Sequence, residues 1–440
     1  MSYLILITGI LLLIVLISYW KCNAFLSFII AAFWLGLWNN MNVETLVTSI
    51  GQGIGSILGS LLIILCFGAM QGKIIVSCGA AQKITDHLIR VFGIKYLQWA
   101  LLLTGFIVGI PLFYGVGFVL LAPLVINLSV QKKLPAVWLG MPMLMVLSAL
   151  HGFLPPHPAP VALTEMLNGN IGKTLLMGII AATAAMLVAG VFYARFLKGI
   201  TNRPMSAFVS ERKPDNELPG LFYSYLACFL PILLIGAAAI VQSFFPSGSK
   251  LPAVAAFIIS IGNPVVAMTL SLLFSILVLG RKGGGLKQSM QLSEKAIMDI
   301  APVVMVIAGA GAFNQVLTDC GLTKQLTQDL SQVHTSPLVL GFIVAMIIRV
   351  ATGSATIAGL TAAGIIKPLF LQTHLPAELM VLSIGAGSLM LSHVNDGGFW
   401  LFKEYFNLSI KQTLKSWTVA ESLLGLTGLL MVLLLKYLFY

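Results

Sequence analysis

Charge is what this 440-residue sequence has least of. Only 9% of its residues are charged, and Asp and Glu together number 14. With 58% hydrophobic residues and a mean hydropathy of +1.00, a soluble domain is excluded and a polytopic α-helical membrane protein is implied. The apolar runs exceed a strand's length and do not alternate, which excludes a β-barrel. Metal and redox motifs are missing too. The five cysteines (Cys22, Cys66, Cys78, Cys228, Cys320) form no C-x-x-C, no H-E-x-x-H occurs, and no zinc spacing is found. Gly172-Lys173-Thr174 imitates part of a P-loop, but Leu167 stands where the first glycine should be, so no ATP site is expected. Met1-Ser-Tyr leads into Leu4–Leu16 without a basic n-region or cleavage site, which reads as a first span rather than a signal peptide. No cofactor, no metal and no nucleic acid are expected. The net charge of +11 comes from Lys/Arg in short connections between spans, the positive-inside pattern of a lipid-embedded chain.

What is present is a series of apolar runs, at about 2–20, 24–38, 54–70, 96–113, 116–130, 136–150 and 174–197, then 221–242, 264–280, 297–313, 335–350, 355–372, 377–391 and 417–438. Seven fall in each half, and the halves resemble each other. Cys78–Leu88 matches Cys320–Leu330 at an offset of 242 (320 − 78), and the same offset sets His151 on His393. Three residues are then lost, and Asn168–Leu175 matches Asn407–Leu414 at 239 (407 − 168). A duplication is expected. At the offset of 242, Asp396 would face Leu154 and lack an acidic counterpart.

Basic residues cluster at Arg195–Lys213 and Arg281–Lys295, both expected to be cytoplasmic with one hairpin between them. Lys73, Lys83, Arg90 and Lys95 follow the third run, whereas the matching stretch carries Lys324 against Asp319 and Asp329. This asymmetry predicts two inverted-topology repeats, 1–197 and 220–440, joined by a cytoplasmic linker at 198–219. Each would hold five crossings, a re-entrant hairpin and a broken helix.

Each repeat has two interruptions. The earlier ones, Gly109–Gly117 and Arg349–Gly359, read as hairpin tips whose free amides and hydroxyls can take a carboxylate. Arg349, one turn before Gly353-Ser-Ala-Thr356, suits an anionic ligand, or it marks a helix end and snorkels. The small residues can instead serve helix packing, as expected of Gly55-x-x-x-Gly59 and Gly105-x-x-x-Gly109. The later interruptions are His151–Pro160, with too many prolines for a helix, and Leu391–Trp400, where Gly397-Gly398 should unwind one. Broken helices facing each other are where secondary transporters bind substrate and ion. An aspartate near mid-bilayer costs about 3 kcal/mol on insertion scales, so Asp396 is a functional candidate by default. The substrate-binding candidates are Tyr114, His151, His157, Arg349, Ser354, Thr356, His393, Asn395 and Asp396, and the proton-coupling candidates are Asp396, His151 and His393.

At these residues the sequence resembles the gluconate permease family of the ion-transporter superfamily. The resemblance is carried by His-Gly-Phe-Leu-Pro-Pro-His-Pro at 151–158, Gly-Ser-Ala-Thr at 353–356 and Ser-His-Val-Asn-Asp at 392–396 running on through Gly-Phe-Trp-Leu-Phe-Lys-Glu-Tyr-Phe at 398–406. It implies proton symport of a sugar acid, gluconate or a related aldonate first, with glycerate or D-serine as alternatives. It also implies elevator-type movement in the bacterial inner membrane and, by analogy, a homodimer. Gly115 departs from the family, which carries an acid there, so sodium stays open as coupling ion. An intramembrane enzyme using His151, His393 and Asp396, or a passive channel, are the readings from other classes.

Overall fold

The computed structural model describes residues 2–202, 213–245, 251–281, 284–321, 336–373, 375–394 and 396–440. Backbone amides in lipid have no water to bond, so an apolar chain must satisfy them internally. Among the described residues every regular element is accordingly helical. Seven helices are long and apolar enough to cross a membrane, or nine if two bent pairs each count once. Asn395, residues 203–212 of the expected linker and 322–335 of the second repeat, with Lys324 and Asp329, lie outside the described residues.

The helices are α1 (Ser2–Ile14), α2 (Ala24–Trp38), α3 (Val43–Ser77), α4 (Ala80–Phe92), α5 (Leu97–Gly109), α6 (Tyr114–Lys132), α7 (Ala136–Phe153), α8 (Pro158–Met166), α9 (Ile171–Met186), α10 (Leu221–Ser243), α11 (Ala253–Ile261), α12 (Pro264–Phe274) and α13 (Gly285–Asp319). They continue as α14 (Pro337–Thr352), α15 (Ala355–Phe370), α16 (Ala377–Leu389), α17 (Gly397–Tyr405), α18 (Ile410–Thr413) and α19 (Val419–Phe439).

Two pairs of helices keep the offsets found in the sequence. α3 and α13 are both 35 residues long, and their first and last residues are 242 apart (285 − 43, 319 − 77). α8 and α17 are both nine residues long and 239 apart (397 − 158, 405 − 166). The three-residue loss therefore falls before Asp396, and the residue that answers it is His157, not Leu154. His157 and Asp396 are the N-caps of α8 and α17.

α3 and α13 are the longest helices and pack along one another. At their crossing a Cβ on Gly53 would collide with the Gly311 carbonyl, and one on Gly311 would lie 2.6 Å from the Gly53 carbonyl. At about 1.5 Å per residue each spans roughly 50 Å, well beyond a hydrocarbon core of about 30 Å. The apolar run at 54–70 is thus only the middle of its helix. Gly105 and Gly109 do serve packing, against Met143, Leu147 and Leu150 of α7, but a Cβ on Gly55 or Gly59 would meet nothing within 4 Å. The basic stretch after α3 is a helix as well. α4 buries Ala80, Ala81, Ile84, Thr85 and Leu88, keeps Arg90 in its last turn, and meets the following helical segment at 111°.

The core lies between the two halves. α7 buries all but two of its 18 residues, and α16 all but one of 13. They touch where Gly152 packs on Leu389 and the Gly152 carbonyl lies against Gly385. Both helices end there, and in each half the chain leaves the helix before starting α8 or α17.

Candidate functional site

The second earlier interruption is a helical hairpin. α14 and α15 have 16 residues each, about 24 Å, too short to cross a core of about 30 Å. They are joined by Gly353 and Ser354 alone. Gly353 caps α14 with a left-handed φ of +75°, which a glycine adopts without Cβ strain. Ser354 caps α15, its Oγ accepting from the Ile357 amide at 3.3 Å. The first amides of α15, on Ala355 and Thr356, have no partner within the helix, and both residues line one cavity.

Arg349 stands on the last turn of α14 and is only 4% exposed. Its Nη1 donates to the Gly353 carbonyl and its Nη2 to Asp396 Oδ2 at 2.5 Å. Its Nε has no hydrogen-bond partner among the described residues. The buried position excludes snorkelling to headgroups, and the guanidinium is already paired with a fixed carboxylate.

The unwinding that brings Asp396 to Arg349 precedes the glycines. α16 stops at Leu389, Met390 is extended and Leu391 takes a φ of +51°. Gly397 and Gly398 instead open α17, where Asp396 Oδ1 accepts from the Gly398 amide at 2.9 Å. Asp396 Oδ2 also accepts from Ser392 Oγ, and that hydroxyl accepts from Trp417 Nε1 at 2.8 Å. Gly398 allows close approach as well, since a Cβ there would lie 3.2 Å from the Tyr114 hydroxyl. In the first half α7 continues through Phe153, and only Leu154–His157 is unwound. Pro158 and Pro160 fall in the first turn of α8, where their missing N–H groups are not needed.

These elements enclose a cavity of about 270 Å³, lined by Tyr114, Ser148, His151, Arg349, Gly353, Ser354, Ala355, Thr356, Leu389, Asp396, Gly397, Trp417 and Glu421. Six of the residues expected from the sequence meet here: Tyr114, His151, Arg349, Ser354, Thr356 and Asp396. His157 is buried behind them, its ring 6.2 Å from that of His151. His393 is half-buried in the extended stretch and does not line the cavity. The offset that pairs it with His151 does not place it alike, because α16 ends before reaching it whereas α7 carries His151 in its last turn.

Of the seven other lining residues, Ser148, Trp417 and Glu421 bring polar or aromatic side chains that were not expected. Trp417 stacks between Tyr114, at 6.2 Å, and Phe402, at 5.1 Å. Glu421 is 2% exposed. Ser148 brings its hydroxyl toward the Glu421 carboxyl, yet neither Glu421 oxygen completes a hydrogen bond among the described residues. The Tyr114 hydroxyl and His151 Nδ1 are also buried without partners there. A cavity with one free guanidinium N–H, free helix-terminal amides, hydroxyls and an aromatic wall suits a small polyhydroxylated anion. Among the described residues no group of three or more His, Cys, Asp or Glu could hold a metal ion.

The model of the GntP family of permeases matches residues 1–438. The high-affinity gluconate transporter of Escherichia coli K12 is 41% identical over 438 residues, covering 99% of both chains. The Gnt-II system L-idonate transporter of the same strain is 41% identical over 435 residues, covering 98% of both. The gluconate permease of Bacillus subtilis 168 is 39% identical over 445 residues, covering 99% of both. Among solved structures, the YdaH transporter of Alcanivorax borkumensis superposes with a TM-score of 0.64 at 14% identity, over 90% of each chain, a likeness of fold alone. The chain belongs to the GntP family of permeases, multi-pass proteins of the bacterial inner membrane.

Proposed function

We propose that this GntP-family permease imports gluconate or a related aldonate together with protons. The observation that carries the reading is the tip of the α14–α15 hairpin. There Arg349, whose buried Nε–H has no partner among the described residues, lines one cavity with Ala355 and Thr356, whose amides have no partner within their helix. A substrate carboxylate takes those donors, and the sugar hydroxyls reach Ser354, Thr356, Tyr114 and His151. Relatives 37–41% identical over nearly the whole chain are named for gluconate and L-idonate, which supports the aldonate class. In this reading 1–197 and 220–440 are inverted repeats joined by 198–219, and the hairpin carries the site past the paired α3 and α13.

D-serine is the second reading, because Glu421 puts a buried acid where an ammonium would want a counter-ion. Uptake of labelled gluconate, L-idonate, glycerate and D-serine into proteoliposomes, under an imposed pH gradient and with sodium varied, separates the readings. Concentrative gluconate uptake that follows the pH gradient and ignores sodium is expected. D-serine uptake without gluconate uptake would select the second reading, and gluconate uptake indifferent to the pH gradient would remove proton coupling.

A further inference from the structure

Glu421 takes no part in aldonate binding as described above. It enters the cavity from α19, inside a helical segment that runs from Ile410 to Phe439. No helix start supplies it with free amides. The titratable and charged groups that share its cavity are Tyr114 from α6, His151 from α7, Arg349 from α14 and Asp396 from the turn before α17. The one fixed cation among them is already taken, since Arg349 bonds Asp396 and the Gly353 carbonyl.

Charge counting then decides the state in which an anion can enter. Arg349 and Asp396 cancel. With Glu421 ionised, the cavity would hold an uncompensated negative charge before any substrate arrived. A carboxylate entering it would meet that charge between buried walls, where repulsion is screened less than in bulk water. With Glu421 protonated, the empty cavity is neutral and the anion meets only donors. Binding of the anion and protonation of Glu421 must therefore favour each other, by the same factor in each direction.

We propose that Glu421 carries the coupled proton and that Asp396 serves to fix Arg349. The Glu421 O–H bond stays intact while the anion occupies the cavity. It breaks after the anion has left, releasing the proton to water on the cytoplasmic side, and reforms with a proton from outside, one proton per anion. The assignment rests on the proton-symport reading above.

The test is gluconate binding to the purified full-length chain between pH 6 and pH 9, paired with pH-gradient-driven uptake in proteoliposomes. For the parent chain Kd should rise about tenfold per pH unit once Glu421 begins to ionise, the slope of one linked proton. In Glu421→Gln that slope should fall below about twofold per unit, and accumulation against a gradient should be lost. Glu421→Asp should keep the slope with a displaced midpoint, which preserves the test if Glu421→Gln does not yield a monodisperse protein. Asp396→Asn should weaken binding at every pH while the slope persists. A Glu421→Gln chain that keeps the parental slope or still accumulates gluconate overturns the proposal, as does an unmoved midpoint in Glu421→Asp. A parent chain that neither binds nor takes up gluconate or L-idonate overturns the symport reading, and this assignment with it.

Discussion

Arg349 gives two of its nitrogens to the protein, and the third is buried without a partner among the described residues. A lysine supplies one compact charge and cannot hold Gly353, Asp396 and a ligand in that fork. Arg349→Lys is therefore expected to lose one charge-assisted bond, about 1.5–3 kcal/mol or roughly 10–100-fold in gluconate affinity, read by titration calorimetry. Arg349→Ala should do worse, because it leaves the half-buried Asp396 without its cation, a loss of up to about 3 kcal/mol visible as a lower melting temperature. Gly115 makes the opposite prediction. A Cβ there meets nothing within 4 Å, so Gly115→Glu should melt close to the parent while the added acid alters the pH dependence of uptake. At this scale the sequence was informative where polarity interrupts apolar runs, as at Arg349, Ser354 and Asp396. It was less informative where a polar residue sits in an unbroken helix. Glu421 is the lone acid of the run 417–438, and that signal was there to be weighed as an intramembrane ionisable group. Ser148 and Trp417 carried no comparable signal, since both are ordinary residues of buried helices.

Two tight backbone positions hold the elements in place. Gly353 turns α14 into α15 with a φ of +75°, and Gly353→Ala should cost about 1–2 kcal/mol of backbone strain at the hairpin tip. Because the Gly353 carbonyl also orients Arg349, gluconate affinity should fall along with thermal stability, so both are measured on the same protein. Gly385 presses on the Gly152 carbonyl, and backbone cannot swing away as a side chain can. Gly385→Ala is expected to destabilise by about 1–3 kcal/mol through overpacking, measured by thermal unfolding in detergent. The interruptions were legible because hydropathy, glycine and proline place them. Their detail was not. Where α16 unwinds depends on Leu391 adopting a left-handed conformation, and α4 buries its apolar face against other helices rather than ending as a loop. Neither outcome is encoded within the local stretch.

For the molecule as a whole, α3 with α13 and the α14–α15 hairpin are the two bodies whose relative motion the import reading requires. They meet where a Cβ on Gly364 of α15 would lie 3.9 Å from Cβ of Asn314 on α13, within the span of a disulfide. An Asn314→Cys/Gly364→Cys chain should lose uptake when oxidised and regain it under reductant. Full uptake in the cross-linked state would show that these helices keep their contact throughout the cycle. One proton carried by Glu421 per anion would have one more consequence, electrical in kind. A monoanion that travels with one proton moves no net charge across the bilayer over a full cycle. The membrane voltage, worth about 2.3 kcal/mol per charge at 100 mV, then does no work on the cargo. Uptake would follow the acidity of the medium, and a fully energised cell in alkaline surroundings would be unable to concentrate its substrate through this protein.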